Sequence, residues 1–586
     1  MSTHENRRST PREFLFSRLP ILTWLPKYER AWLRPDILAG LAVWAMTVPQ
    51  ALAYAGIAGV PPVYGLYAVP LAMVAYAIFG TSRTLSVGPE SAIAIISAVT
   101  VGALAVSDPS EFLALTSALA LVVGVLFLLF GFLRLGWAAN FLANPVLQGF
   151  TQGIALTVII GQVPMVLGTE REVAGLVGEL RNLPQLIGLN IDYSGFIVQT
   201  WAVTSTLGQA HLATTVVGIA CLVLLFAFRR FMPQAPSALI AVLLAVLAVT
   251  LLGLAERGVA VVGEVETGML TLAVPALSLS KIASLLPGAF AIVLLGYSVS
   301  LSVATLGAQK TGETIDPNQE LVALGVGNLG AAFSSGFVVC GSLSRGSVIF
   351  RAGGRSQVVS LINAGLVVIT LAVALPLFFK LPMATLSAIV ITAMYGLLDV
   401  AYLRRLLNVD RGEFAYGMAA LLGVLVLGIL PGVALGVVLA LVLLIRRVSR
   451  PGTAVLGRFS GTDSYRDIIA HPEAETFSGL LIFRFDAPVI FANARYFADE
   501  VRRLIAEAKS PVKAVLVAAQ QINQLDSTGA DQLAKLAVEL EAKGIGLAFA
   551  EVKGGVRSMM HRTSLEETVG ADHLYESIEA GVQGCL

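Results

Sequence analysis

Val87-Gly88-Pro89-Glu90-Ser91-Ala92 and Cys340-Gly341-Ser342-Leu343-Ser344-Arg345-Gly346 are two glycine-marked segments that interrupt membrane-like hydrophobic regions, and each opens a new apolar helix. A helix that begins inside a bilayer leaves its first backbone N–H groups without partners, and lipid supplies none. Something polar must sit there. Helix N-termini carry partial positive charge, so two of them meeting near the membrane midplane would form an anion site with little need for basic side chains.

The surrounding composition fits a bilayer. Hydrophobic residues make up 56% of the 586-residue chain and charged residues only 13%, which places it among integral membrane proteins with lipid as its solvent. Between Asp36 and Arg134 the only charged residues are Arg83, Glu90, Asp108 and Glu111, leaving apolar stretches of span length. A net charge of +1 points to no nucleic-acid partner. Cys221, Cys340 and Cys585 are too scattered for a disulfide framework or a metal cluster, and the five histidines show no ligand spacing. No metal, cofactor or hydrolase constellation is implied, so the chain does not read as an enzyme. Arg7, Arg8, Arg12 and Arg18 precede no span-length apolar run before Asp36, so the first span, rather than a cleaved signal peptide, is the expected targeting element.

Apolar runs, turn residues and charges segment the chain into spans near 36–55, 62–80, 88–105, 112–133, 144–168, 212–229, 236–254, 284–306, 318–335, 341–353, 357–378, 382–400, 414–430 and 431–445. The expected plan is therefore a cytoplasmic arm over 1–35, a transmembrane domain over 36–445 with about fourteen helices, a linker over 446–470 and a soluble domain over 471–586. Basic residues before the first span and Arg446, Arg447 and Arg450 after the last put both ends in the cytoplasm. Asp108, Glu111 and the region from Thr169 to Gln209 then fall outside. An odd number of spans per half would give the second seven the opposite orientation. Spacing supports this: Asp36 to Gly88 is 52 residues, and Pro287 to Gly341 is 54. The short tenth span has the length of a helix running from midplane to one surface. After Arg450, the strand-length runs 480–485, 514–518 and 546–550 alternate with amphipathic segments 493–508 and 528–542, the pattern of a small α/β domain.

Several long stretches, in order, resemble the sulfate permease family of anion transporters that carry a C-terminal STAS domain. They are VPQALAYAGIAGVPPVYGLYAVP (48–70), NPVLQGFTQGIALTVIIGQVPMVLG (144–168), IDPNQELVALGVGN (315–328), CGSLSRGSV (340–348) and, in the tail, Asp526-Ser527-Thr528-Gly529. The resemblance implies a polytopic α-helical fold of two inverted seven-helix repeats arranged as core and gate subdomains. It also implies an anion bound between the third and tenth helices, an elevator-like motion of the core, and a homodimer in the plasma (inner) membrane. Sulfate is the leading substrate. Bicarbonate, dicarboxylates, anion exchange and channel-like conductance are alternatives, and a membrane-anchored STAS signalling protein is a different class altogether.

Within that frame the candidate substrate-binding residues are Gln50, Tyr54, Glu90, Ser91, Ala92, Ser298, Ser300, Gly341, Ser342, Leu343, Ser344 and Arg345. Gln50 and Tyr54 lie four apart and share a helix face; ordinary packing is the competing role of Tyr54. Glu90 either contacts the anion or a coupling proton, or simply caps its helix. Arg345 either balances Glu90 and attracts the anion, or snorkels to the membrane interface. Ser298, Ser300 and Ser302 are polar lining or small-residue packing. Many bacterial relatives that couple to a cation have an acid at the position of Val299; its absence here means either that coupling is supplied elsewhere, with Glu90 the leading candidate and a proton or sodium as possible co-substrate, or that anions are exchanged or pass without a cation. Ser527 sits where bacterial STAS regulators accept a phosphate, and equally where a helix is capped.

Overall fold

The computed structural model describes residues 19–104, 108–137, 144–186, 196–232, 235–263, 279–459 and 461–586. Arg7 to Arg18 of the basic arm, and 187–195 of the region expected outside the membrane, lie beyond the described residues. The chain divides at Ala440/Leu441 into two units.

Every expected span has a helical counterpart, the last of them running across the division. In chain order these are α1 (Leu33–Ile57), α2 (Val63–Phe79), α3 (Ser91–Gly102), α4 (Pro109–Phe132), α5 (Asn144–Leu167), α6 (Leu212–Phe231) and α7 (Ser237–Leu252). The second seven are α8 (Leu279–Thr311), α9 (Pro317–Phe333), α10 (Leu343–Arg351), α11 (Val358–Phe378), α12 (Met383–Tyr395), α13 (Arg411–Leu427) and α14 (Ile429–Ser449). Among the described residues, eight helices are long and apolar enough to cross a bilayer, one of them α12 taken together with the helix that follows it. With 12 and 9 residues, α3 and α10 reach about 18 and 14 Å at ~1.5 Å per residue, half of a ~30 Å hydrocarbon core. The region from Thr169 to Gln209 contains two further helices, Glu170–Leu186 and Phe196–Thr206. Asp399 marks the start of a further helix: its carboxylate accepts from Tyr402 N at 2.9 Å and caps Val400–Val409.

The packing carries the inverted repeat. α4 packs on α9 as α11 packs on α2, α3 on α8 as α10 on α1, and α8 on α4 as α1 on α11. Exchanging each helix with the one seven places along maps each member of these pairs of contacts onto the other. A second bundle forms around α5, which packs on α12 and α13, while α6 packs on α12 and α7. Glycine permits the closest of these approaches: a Cβ on Gly149 of α5 would lie 1.9 Å from the Gly417 carbonyl oxygen of α13.

The second unit contains a six-stranded sheet of β3 (Thr453–Arg458), β4 (Tyr465–Asp467), β5 (Leu480–Phe485), β6 (Ala514–Ala518), β7 (Gly546–Ala550) and β8 (Leu574–Tyr575) in the order β4-β3-β5-β6-β7-β8. The pairs from β5 to β8 are parallel and β3 is antiparallel to both neighbours. β5, β6 and β7 coincide with the runs expected from sequence; helices Ala494–Glu507 and Ser527–Ala542 pack in one core with Phe483, Phe485, Val515 and Leu547. β3 and β4 fall inside 446–470, where the sequence reading places a linker; their apolar runs are too short and interrupted by charge to announce a strand.

Candidate anion site

The two opening segments meet. Val87–Gly88 forms a short strand, β1, that pairs antiparallel with β2 (Cys340–Gly341), Val87 opposite Gly341 and Gly88 opposite Cys340, and Ser342 N donates to Ser86 O at 3.1 Å. This pairing satisfies backbone groups that lipid could not, and it brings the N-termini of α3 and α10 together. Neighbouring helices hold the crossing in place. Ser300 of α8 accepts from Gly341 N at 2.8 Å and returns its hydroxyl proton to Gly296 O. Asn328 of α9 brackets Val339, accepting from its N–H at 3.0 Å and donating to its carbonyl at 2.9 Å.

The loop before β1 is fixed by two buried groups that sequence reading did not single out. Glu320 of α9, fully buried, accepts from Tyr76 Oη at 2.7 Å, Thr81 N at 2.8 Å, Thr81 Oγ1 at 2.6 Å and Ser82 N at 3.3 Å. Gln357 donates to the carbonyls of Ser82 and Leu85. Asp36, also buried, accepts from Arg355 N and Ser356 Oγ and so fixes the loop after α10. An acid on an apolar helix was the available signal for Glu320, since burial of such a group is costly without partners.

The helix starts differ in what caps them. Glu90 caps α3, its carboxylate accepting from Ala92 N and Ser91 Oγ, both at 2.8 Å. α10 has no side-chain cap; Ser342 Oγ and Ser344 Oγ pair with each other at 3.0 Å, leaving its first N–H groups open. Arg345 is fully buried, which removes the interfacial alternative. Its Nη1 donates to Pro89 O at 2.9 Å across the crossing strands, whereas Nε and Nη2 have no hydrogen-bond partner. A Cβ on Gly88 would lie 3.2 Å from Nη2, so glycine makes room for the guanidinium.

Both starts face a cavity of about 1710 Å³ between the two helix bundles. Of the expected site residues, Gln50, Tyr54, Glu90, Ser91 and Ala92 line it from α1 and α3, and Ser298, Ser342, Leu343 and Ser344 from α8 and α10. Ser300, Gly341 and Arg345 sit behind the wall. Ser298 donates to Leu294 O and Ser302 to Ser298 O, so their protons are engaged within α8. Val299 also faces the cavity. The charged lining residues are Glu90, Arg229 and Arg351; Arg229, from α6, donates to Thr392 O and lies 5.4 Å from the Tyr395 ring centroid. In the second unit, Asp526 rather than Ser527 makes the cap, accepting from Gly529 N at 2.7 Å and Phe491 N at 2.8 Å.

Residues 33–420 match the profile of the Sulfate permease family and residues 471–581 that of the STAS domain. A probable sulfate transporter of Mycobacterium tuberculosis is 34% identical over 574 residues, covering 96% of this chain and 99% of the relative. The chloroplastic sulfate transporter 4.1 of Arabidopsis thaliana is 29% identical over 98% of this chain and 83% of its own. The fold is shared with the murine Solute Carrier 26 family member A9 anion transporter in the inward-facing state, at a TM-score of 0.85, 24% identity and coverage of 99% of this chain and 96% of that one. The transmembrane domain of a cyanobacterial bicarbonate transporter matches at a TM-score of 0.57 and 21% identity, over 70% of this chain and 98% of the other.

Proposed function

Because the chain belongs to the sulfate permease family, a family of membrane anion transporters rather than enzymes, and carries a STAS domain, we propose that it moves sulfate across the plasma membrane as a secondary active transporter. The anion binds between the N-termini of α3 and α10. The observation that carries this reading is the uncapped start of α10, open to the cavity and beside the buried, incompletely partnered guanidinium of Arg345. Open N–H groups favour an anion through hydrogen bonds and the helix dipole, and a buried cation adds a field that water does not screen. Ser342 and Ser344 exchange their mutual bond for bonds to the ligand, and Tyr54 and Gln50 close the α1 side.

The site belongs to a bundle built from α1–α4 and α8–α11, and the cavity opens between it and α5, α6, α7 and α12, with α1 also packing directly on α7 and α12. An elevator-like displacement of the first bundle carries the anion without unfolding the strand crossing, in a homodimer with both termini cytoplasmic. Glu90 serves as the coupling group. Labelled sulfate uptake into liposomes containing the purified protein tests the reading; failure to move sulfate under any ion gradient refutes it. A second reading, anion exchange without a coupled cation, rests on Val299 facing the cavity where an acid would serve coupling. Uptake that requires internal anion and ignores pH and sodium favours it.

A further inference from the structure

The candidate anion site combines one buried cation with one carboxylate, and their balance bears on the valence of the ligand. Arg345 lies behind the crossing strands and donates to Pro89 O, while Glu90, the next residue along, presents its carboxylate to the cavity. The other titratable groups close enough to Glu90 to interact electrostatically are Tyr54 of α1 and Cys340 of β2. The α8 wall contributes Ser298, Val299 and Ser302, none charged, and the two lining arginines, Arg229 and Arg351, belong to the last turns of α6 and α10 rather than to a helix start. Glu90 is the only acid on the cavity wall among the described residues.

With Glu90 ionised, its charge cancels that of Arg345, and what remains is the partial positive charge of two helix starts, about half a unit each. One negative charge balances that remainder. A second would face the Glu90 carboxylate in a low-dielectric enclosure. A proton on Glu90 removes the repulsion and supplies an O–H donor. We infer that the site takes up a dianion together with one proton on Glu90 and a monoanion with Glu90 ionised, so that either loaded carrier transports one net negative charge. This rests on the anion site proposed above, but goes further: it divides substrates into two valence classes with different proton requirements, served by one carboxylate.

Full-length protein in liposomes, with membrane voltage clamped by potassium and an ionophore, tests this with sulfate and nitrate as probes between about pH 5 and 8. The sulfate KM is expected to rise by about tenfold per pH unit on the alkaline limb, the slope of a single proton, while the nitrate KM stays flat. In Glu90→Gln, whose amide oxygen still accepts from Ala92 N, the sulfate slope disappears. Equal pH slopes for the two anions in the unaltered protein overturn the inference without recourse to any variant, and so does a sulfate slope that survives Glu90→Gln. Both results leave the transport reading standing. Uptake of neither anion overturns both.

Discussion

Replacing Arg345 by methionine separates an electrostatic role from a structural one. The guanidinium lies 2.9 Å from Pro89 O, and the N–H of Ser91, which the Glu90 cap on Ala92 N leaves facing the site at the start of α3, follows two residues later. An anion on that group is therefore on the order of 7 Å from the charge. At an effective dielectric of about 20, a unit charge at that distance contributes about 2 kcal/mol, equivalent to roughly 30-fold in affinity for a monoanion. Stability should move the other way or not at all. The variant loses one hydrogen bond, worth about 1 kcal/mol, but it also removes a fully buried cation with two unpartnered nitrogens, whose desolvation costs several kcal/mol. The assay pairs nitrate binding to detergent-solubilised protein with thermal unfolding of the same sample. Expected are a Kd raised by about 30-fold and a Tm unchanged or higher. Binding within about threefold of the original, or a Tm well below it, would refute the reasoning.

Other consequences concern packing and charge. Glu320→Ala leaves Tyr76, Thr81 and Ser82 donors without an acceptor in a buried place and should cost about 3–5 kcal/mol in thermal or chemical unfolding, whereas Tyr76→Phe should cost only about 1 kcal/mol. Gly149→Ala drives a methyl into the Gly417 carbonyl and should lower the Tm by an amount corresponding to about 1–3 kcal/mol, read by fluorescence-detected unfolding. In the STAS domain, Arg502 and then Lys543 hold the Glu539 carboxyl down at about 2. A depressed carboxylate stabilises the fold above its unfolded value, near 4.5, and loses that contribution as pH falls toward 2. The side chain is one-third exposed, so the effect is discounted to under about 1 kcal/mol. Denaturation of Glu539→Gln and the unaltered protein should therefore differ slightly at neutral pH and converge in acid.

The helical plan was legible because bilayer thickness constrains sequence directly: apolar runs and their breaks located α1 to α14, though not Glu170–Leu186, Phe196–Thr206 or Val400–Val409, and glycine-marked breaks located the half-helices. What sequence could not convey was the cross-chain chemistry. Arg345 is five residues from Cys340 and in the first turn of a short polar helix, a context equally suited to an interfacial side chain. Only the pairing of β1 with β2 turns it inward onto Pro89, on the opposite repeat. Likewise, Glu320 is answered by Tyr76, Thr81 and Ser82, about 240 residues earlier in the chain. Periodicity carries no information about such pairings. β3 and the edge strand β4 beside it were missed for another reason: without the dense apolar run of β5 or β6, such a short strand acquires its identity from the neighbour to which it bonds.

The placement of charge also explains why the polar groups divide into two sets. Glu320, Gln357, Asn328 and Ser300 each hydrogen-bond the backbone of the crossing strands or of the segments that lead into them. Ser342 and Ser344, by contrast, bond to one another and line the cavity. A transporter must release what it binds, so deep direct contacts from a charged fork would oppose turnover. In the site proposed here, a cation kept behind the wall attracts through its field, while exchangeable hydroxyls and N–H groups make the contacts. Rigid scaffolding for the backbone and weak, replaceable donors for the ligand are then two requirements of one site, each met by a different ring of residues.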